Sequence, residues 1–231
     1  MPNWTSNTLT IVSKDMDLLT KIEHEITSVE KDELTGKTIR FIDFNRIVPM
    51  PKTIDTDTVG CEADSFRYYC LKSGKGMLKD YSRYFSKREF TYRKDNKMYD
   101  LEDYEGDDCF NHRLEEMYRQ GVDIYTNITK YGYVSWYDWC NAKWGTKWNA
   151  SEPFPFEYTD NDRMSCTFDT AWKAPFPIAK EISRKYHIKV ILFSNYEGGE
   201  EPTKVVYLNG RRIRSIKYDD MEDTYDEETT G

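Results

Sequence analysis

Val190-Ile191-Leu192-Phe193 is the most apolar run in the chain, inside an extended stretch from Ile188 to Tyr196. A strand this uniformly apolar is buried on both faces, which places it centrally in a sheet. The residues before it narrow the choice further. Ala174-Pro175-Phe176-Pro177 opens a helix, since proline is tolerated in a first turn. Ile178, Ala179, Ile182 and Tyr186 form the apolar stripe of that helix. Ahead of the helix, Met164 to Trp172 alternates as a strand, with Cys166 and Phe168 on one face. This part of the chain therefore reads β-α-β.

The N-terminal fifty residues give the same pattern. Thr8 to Val12 is a short strand, and Ser13 and Asp15 offer helix caps. Leu18, Leu19, Ile22, Ile26 and Val29 follow at helical spacing. Lys31 to Lys37 is a polar connection. Ile39 to Val48 then reads as a second strand, stopped by Pro49 and Pro51. A right-handed crossover would set it parallel to the first strand. Near the C-terminus, Thr203 to Leu208, Asn209-Gly210 and Arg211 to Tyr218 read as a hairpin on a two-residue turn.

Between these patterns the character changes. From Thr53 to Lys130 aromatic and charged residues interleave, with helical spacing at Phe66–Met77 and at Cys109–Tyr118. The expected architecture is thus α+β: a ferredoxin-like β-α-β…β-α-β core with a mainly antiparallel sheet and its helices on one face. Residues 1–52 and 131–218 supply that core, and 53–130 form a mainly helical insertion. Residues 219–231 make an acidic tail with seven acids and no base, which accounts for all but one unit of the net charge of −8. A segment this polar buries too little apolar surface to offset its ordering entropy, so it is expected to be disordered. Aliphatic residues are few for a core of this size. The 18 Tyr, 11 Phe and 6 Trp must supply much of the buried area.

Several classes of function find no support in these residues. Five cysteines and three histidines are scattered without zinc-ligand spacing, so no metal or cofactor is expected. Free thiols fit a reducing cytoplasm. No apolar run is long enough to cross a membrane, and no secretory leader is recognisable. Ser73-Gly74-Lys75-Gly76 lacks the spacing of a phosphate loop. The oligomeric state is not written in the sequence.

Several segments resemble the YubB-type ferredoxin-like domain family, uncharacterised proteins of phages, plasmids and other bacterial mobile elements. The likeness rests on Asn3-Trp4 with Asn7, Leu9 and Ile11, although Thr5 stands where the family has cysteine. It rests also on the runs Phe44 to Pro51 and Trp139 to Asn149, on Phe168 to Trp172 followed by Pro175 and Ile178, and on Tyr196-Glu197. The resemblance implies a fold and a cytoplasmic setting in a bacterial host cell. It implies no reaction.

The richest candidate site is the tryptophan-dense segment: Trp136, Trp139, Trp144, Lys147 and Trp148. Indoles at this density either pack over a sheet or anchor a recognition surface. The leading expectation is a non-enzymatic binding protein that engages a host protein through them, with an anti-defence role suited to such a setting. An alternative is nucleic-acid binding through Tyr81 to Lys97. There six bases face two acids among five aromatic rings, and Tyr84, Arg88, Arg93 and Lys94 would make contact. The acidic balance of the chain and the missing sheet-borne RNA signature weigh against it. A third reading is an enzyme whose carboxylates, Asp138, Asp169 and Glu197, converge.

Overall fold

The computed structural model describes residues 2–31, 36–54, 62–75, 83–84, 108–159 and 162–217. The chain divides into two compact units, Met1–Pro49 with Cys140–Gly231, and Met50–Trp139.

The first unit is built on a six-stranded antiparallel sheet. Its strands are β1 (Trp4–Val12), β4 (Glu157–Thr159), β5 (Arg163–Ala171), β6 (Lys189–Tyr196), β7 (Thr203–Leu208) and β8 (Arg211–Lys217), in the order β4-β5-β1-β6-β7-β8. β1 pairs with β5 from Trp4↔Ala171 to Val12↔Arg163, and with β6 from Thr5↔Tyr196 to Val12↔Lys189. β5 and β6 thus run parallel to each other on either side of β1, joined by the helix Phe176–Tyr186. This is the ferredoxin-like crossover. The unit is a ferredoxin-like α+β domain extended by a C-terminal hairpin. Asn209 and Gly210 both take positive φ, 51° and 75°, as a two-residue hairpin turn requires.

Side-chain alternation gives the sheet two distinct faces. Leu9, Ile11, Met164, Cys166, Phe168, Val190, Leu192 and Val205 are buried on one of them. Helices α1 (Met16–Ile26) and α2 (Phe44–Ile47) and the crossover helix (Phe176–Tyr186) lie on that side. Phe44 meets Phe168 edge-on at 5.7 Å, Tyr158, opposite Met164, donates to Glu23 of α1 at 2.6 Å, and α2 packs against both other helices. α1 forms where expected. The Asp15 carboxylate caps the Leu18 N–H at 3.0 Å, and Leu19, Ile22 and Ile26 are fully buried.

Two expectations for the N-terminal half need correction. The helical stripe does not run on to Val29: Thr27 turns extended, and its hydroxyl donates to the Glu23 carbonyl at 2.6 Å. β-branched Thr27 and Val29 instead open a strand, β2 (Thr27–Lys31). Nor is Ile39 to Val48 one strand parallel to β1. β3 (Thr38–Ile42) pairs antiparallel with β2 in a separate two-stranded sheet. It stops at Asp43, whose carboxylate accepts from the Asn45 N–H at 2.9 Å and starts the single turn of α2. The sheet position that this strand would fill in the simple fold, beside β5, is taken by the short β4. The chain from Ser151 to Phe156 already follows β5 by way of the Ser151↔Asp169 bridge and a Phe154 N–H bond to the Thr167 carbonyl at 2.8 Å.

The described residues of the second unit are mainly helical. α3 (Glu62–Ser73) packs along α4 (Asp108–Tyr131) around Phe66, Tyr69, Cys70, Ile124, Ile128 and Val134. They approach closely at Gly121, where a Cβ would stand 2.3 Å from the Ser65 carbonyl oxygen and 2.4 Å from Tyr69 Cβ. A further helix, α5 (Trp136–Lys143), crosses the boundary between units. The crossover helix Phe176–Tyr186 is α6 in chain order. No helix among the described residues is long and apolar enough to cross a membrane.

Candidate functional site

The segment 144–149 carries both inward and outward side chains, which separates its structural residues from its presented ones. Trp144 points inward: it is buried, its ring lies 5.9 Å from Phe44, and its Nε1–H donates to the Val48 carbonyl at 2.9 Å. Gly145 follows at φ +85°, and a Cβ there would meet Pro177 Cδ at 2.7 Å. Thr146 is buried and donates to the Ala171 carbonyl at 2.9 Å, fastening the segment to the end of β5. Asn149 accepts from the Phe44 N–H and donates to Asp43 Oδ1, both at 2.8 Å. Between these anchors, Lys147 and Trp148 are turned out.

They arrive where three strand ends meet. β1 begins at Trp4, β5 ends opposite it at Ala171, and β6 ends at Tyr196. The Glu197 carboxylate accepts from the Trp4 N–H at 2.8 Å, and the Glu197 N–H returns a bond to the Trp4 carbonyl at 3.0 Å. The Trp4 and Trp148 rings lie 6.3 Å apart, and the Lys147 ammonium sits 3.7 Å from the centroid of Trp148 and 5.8 Å from that of Trp172. Trp148 is 42% exposed and Trp172 50% exposed. This end of the sheet therefore carries three indoles and one cation that links two of them.

Trp172 holds an unusual backbone. Its φ is +72°, a left-handed conformation that costs a residue with a Cβ about 1–2 kcal/mol. Glu152, His187 and Asn209 also have positive φ; His187 ends α6, Asn209 forms the hairpin turn and Glu152 follows the Ser151↔Asp169 bridge. Trp172 is instead clamped on both sides: its N–H donates to the Asn3 carbonyl at 2.9 Å, and Thr170 donates to the Lys173 carbonyl at 2.8 Å. Beneath it lies a buried polar network. Asn7 donates to the Thr5 and Phe168 carbonyls and to Thr170 Oγ1, and it accepts from Ser194 at 2.8 Å. A network satisfied at every atom stiffens the strand ends that present the indoles.

The remaining sequence candidates lie elsewhere. Trp136 is half-buried and Trp139 buried, both in the second unit. Tyr84 is half-buried against the second unit's core and carries the Arg83 guanidinium 4.6 Å from its ring centroid. Arg88, Arg93 and Lys94 lie outside the described residues. Of the three carboxylates, Asp138 accepts from Ser135 at 3.1 Å in the second unit, while Asp169 and Glu197 belong to the first. Glu197 is engaged by Trp4. No group of three metal-ligating side chains occurs among the described residues. The buried Cys166 thiol is pushed far above its ordinary range by desolvation, which makes it a poor nucleophile.

Residues 143–230 match the model of a family described as a ferredoxin-like domain in Api92-like protein. The match covers less than half of the chain and includes Lys147, Trp148 and Trp172. No curated protein matches the chain. A crystal structure of a protein api92 from Yersinia pseudotuberculosis is similar at 9% identity and a TM-score of 0.45, covering 94% of this chain and 98% of that one.

Proposed function

We propose that the chain is a non-enzymatic binding protein that engages a protein partner through Trp4, Lys147, Trp148 and Trp172. The reading is supported above all by Trp172, a half-exposed indole held in an unfavourable backbone conformation by bonds on both sides. Exposed indoles with a cation beside them suit a segment with apolar and acidic side chains. Apolar groups would cover the rings, and a carboxylate would draw on Lys147. Tryptophan is a common anchor of such contacts. The resemblance to proteins of mobile elements makes a cytoplasmic host protein the partner of choice, and interference with host defence the role.

The test is affinity capture from host lysate with wild type beside Trp148→Ala, Trp172→Gly and Lys147→Glu. A stoichiometric partner held by wild type should be lost at least ten-fold by the first two variants. An identical captured set for all four proteins would sink the proposal. Salt-dependent retention of single-stranded nucleic acid, weakened by Arg88→Glu and Lys94→Glu, would favour nucleic-acid binding through residues 81–97 instead.

A further inference from the structure

The sheet of the first unit ends differently at its two edges. β4 is three residues long, and a very short strand is one way a sheet edge is closed to further pairing. β8 stands last at the other edge. It is seven residues long, and among the described residues it pairs with β7 alone. Arg211 to Ser215 are all exposed. Alternate residues of an antiparallel edge strand turn their N–H and C=O groups to the open side, so β8 offers a row of backbone donors and acceptors there. The strand carries Arg211, Arg212, Arg214 and Lys217 and no acid. Lys217 pairs with Glu201 at 3.5 Å, while the three arginines make no ion pair among the described residues. Arg212 lies across from Tyr207 and Arg214 across from Val206. Those two neighbours on β7 point to opposite faces, so cations border the edge on both. Between them Ile213, which has no partner residue on β7, is 57% exposed.

We infer that the β8 edge takes an extended acidic segment of a partner protein as a further strand of the sheet. Main-chain hydrogen bonds would hold the segment, and its side chains would set the choice of partner. Acids on its two faces would lie beside Arg212 and Arg214, and an aliphatic residue between them would cover Ile213. A second copy of the chain is a poor occupant. Pairing β8 with itself would bring the four bases of each copy together, and like charges facing each other destabilise a ladder. The bases thus turn away copies of the chain while favouring an anionic strand. None of these residues belongs to the indole group at the ends of β1, β5 and β6, and neither reading rests on the other.

Fluorescence anisotropy on the full chain at low salt tests this with a labelled peptide of about ten residues, glutamates around a central Val-Thr-Val. A control peptide of the same sequence is N-methylated through that centre, which keeps its charge and removes its ladder donors. The parent should bind, and the methylated peptide should bind at least ten-fold more weakly. Arg212→Gln with Arg214→Gln should also weaken the parent at least ten-fold. The charge-matched pair Lys14→Gln with Lys21→Gln, exposed bases away from β8, should not. On binding to wild type, alternate amides of Arg211–Lys217 should exchange more slowly with solvent. Equal binding of the two peptides would overturn the inference, since charge alone would then explain the contact. Absence of binding would overturn it, as would tighter, arginine-dependent retention of a single-stranded oligonucleotide. Self-association of the free chain that slows the same amides would also overturn it, assigning the edge to a second copy.

Discussion

Single residues of the tryptophan segment separate stability from recognition. Trp144 is buried with its indole N–H satisfied, so Trp144→Ala should lower unfolding free energy by about 3–5 kcal/mol in a denaturant titration. Trp172 should behave in the opposite way. Glycine takes its φ of +72° without penalty, so Trp172→Gly should unfold at the same denaturant concentration as wild type or a higher one, while losing the partner. A Trp172→Gly protein that is strongly destabilised would mean the indole is a packing residue after all. Lys147 and Trp148 could be found from sequence because they sit in a visibly indole-rich run. Trp4 and Trp172 could not. They lie far apart in the chain, and only the β1-β5 register brings them to one end of the sheet. The one local sign was a tryptophan at the end of a strand just before Ala174-Pro175.

At the scale of elements, β5, α6, β6 and the terminal hairpin were legible because their hydrophobic period is unambiguous and prolines and Asn-Gly mark their ends. β2 and β3 were not. Val29 fits a helical stripe and a strand equally well, and the Asp43 cap that ends β3 falls between the apolar Phe41-Ile42 and Phe44. Gly145 shows how much one element can depend on another. A side chain there meets both positive φ and Pro177 of α6, so Gly145→Ala should cost more than about 1 kcal/mol, and Pro177→Ala should recover part of it in a double-mutant cycle. α1 and α6 are joined by Glu25, which accepts from Tyr186 at 2.8 Å and pairs with Lys185 at 3.0 Å. The Tyr186 hydrogen bond first, then Lys185, holds the Glu25 carboxyl below its ordinary 4.5. Its stabilisation is therefore present above the unfolded value and lost as pH falls through the lower folded one. With both partners of the ion pair over a third exposed, at 38% and 41%, solvent screening limits the effect to about 0.5 kcal/mol. Glu25→Gln should accordingly lower Tm slightly at neutral pH and flatten its decline below about pH 4.5, as read from melts across that range.

For the whole molecule, the division into two units makes a mutation's effect local. Gly121→Ala drives a methyl into the Ser65 carbonyl and Tyr69, so hydrogen exchange should quicken across α3 and α4 while β1, β5 and β6 keep their protection. Loss of protection throughout would show that the units unfold as one. The same interruption of the sheet by residues 50–139 bears on how the protein is made. β1 finds both its partners only after Arg163 and Lys189 have been synthesised. At about 5–20 residues per second, the ribosome leaves Leu9 and Ile11 without a sheet for roughly 10–40 seconds. β1 is therefore made well before the strands it pairs with, and aggregation during synthesis is the hazard built into this topology.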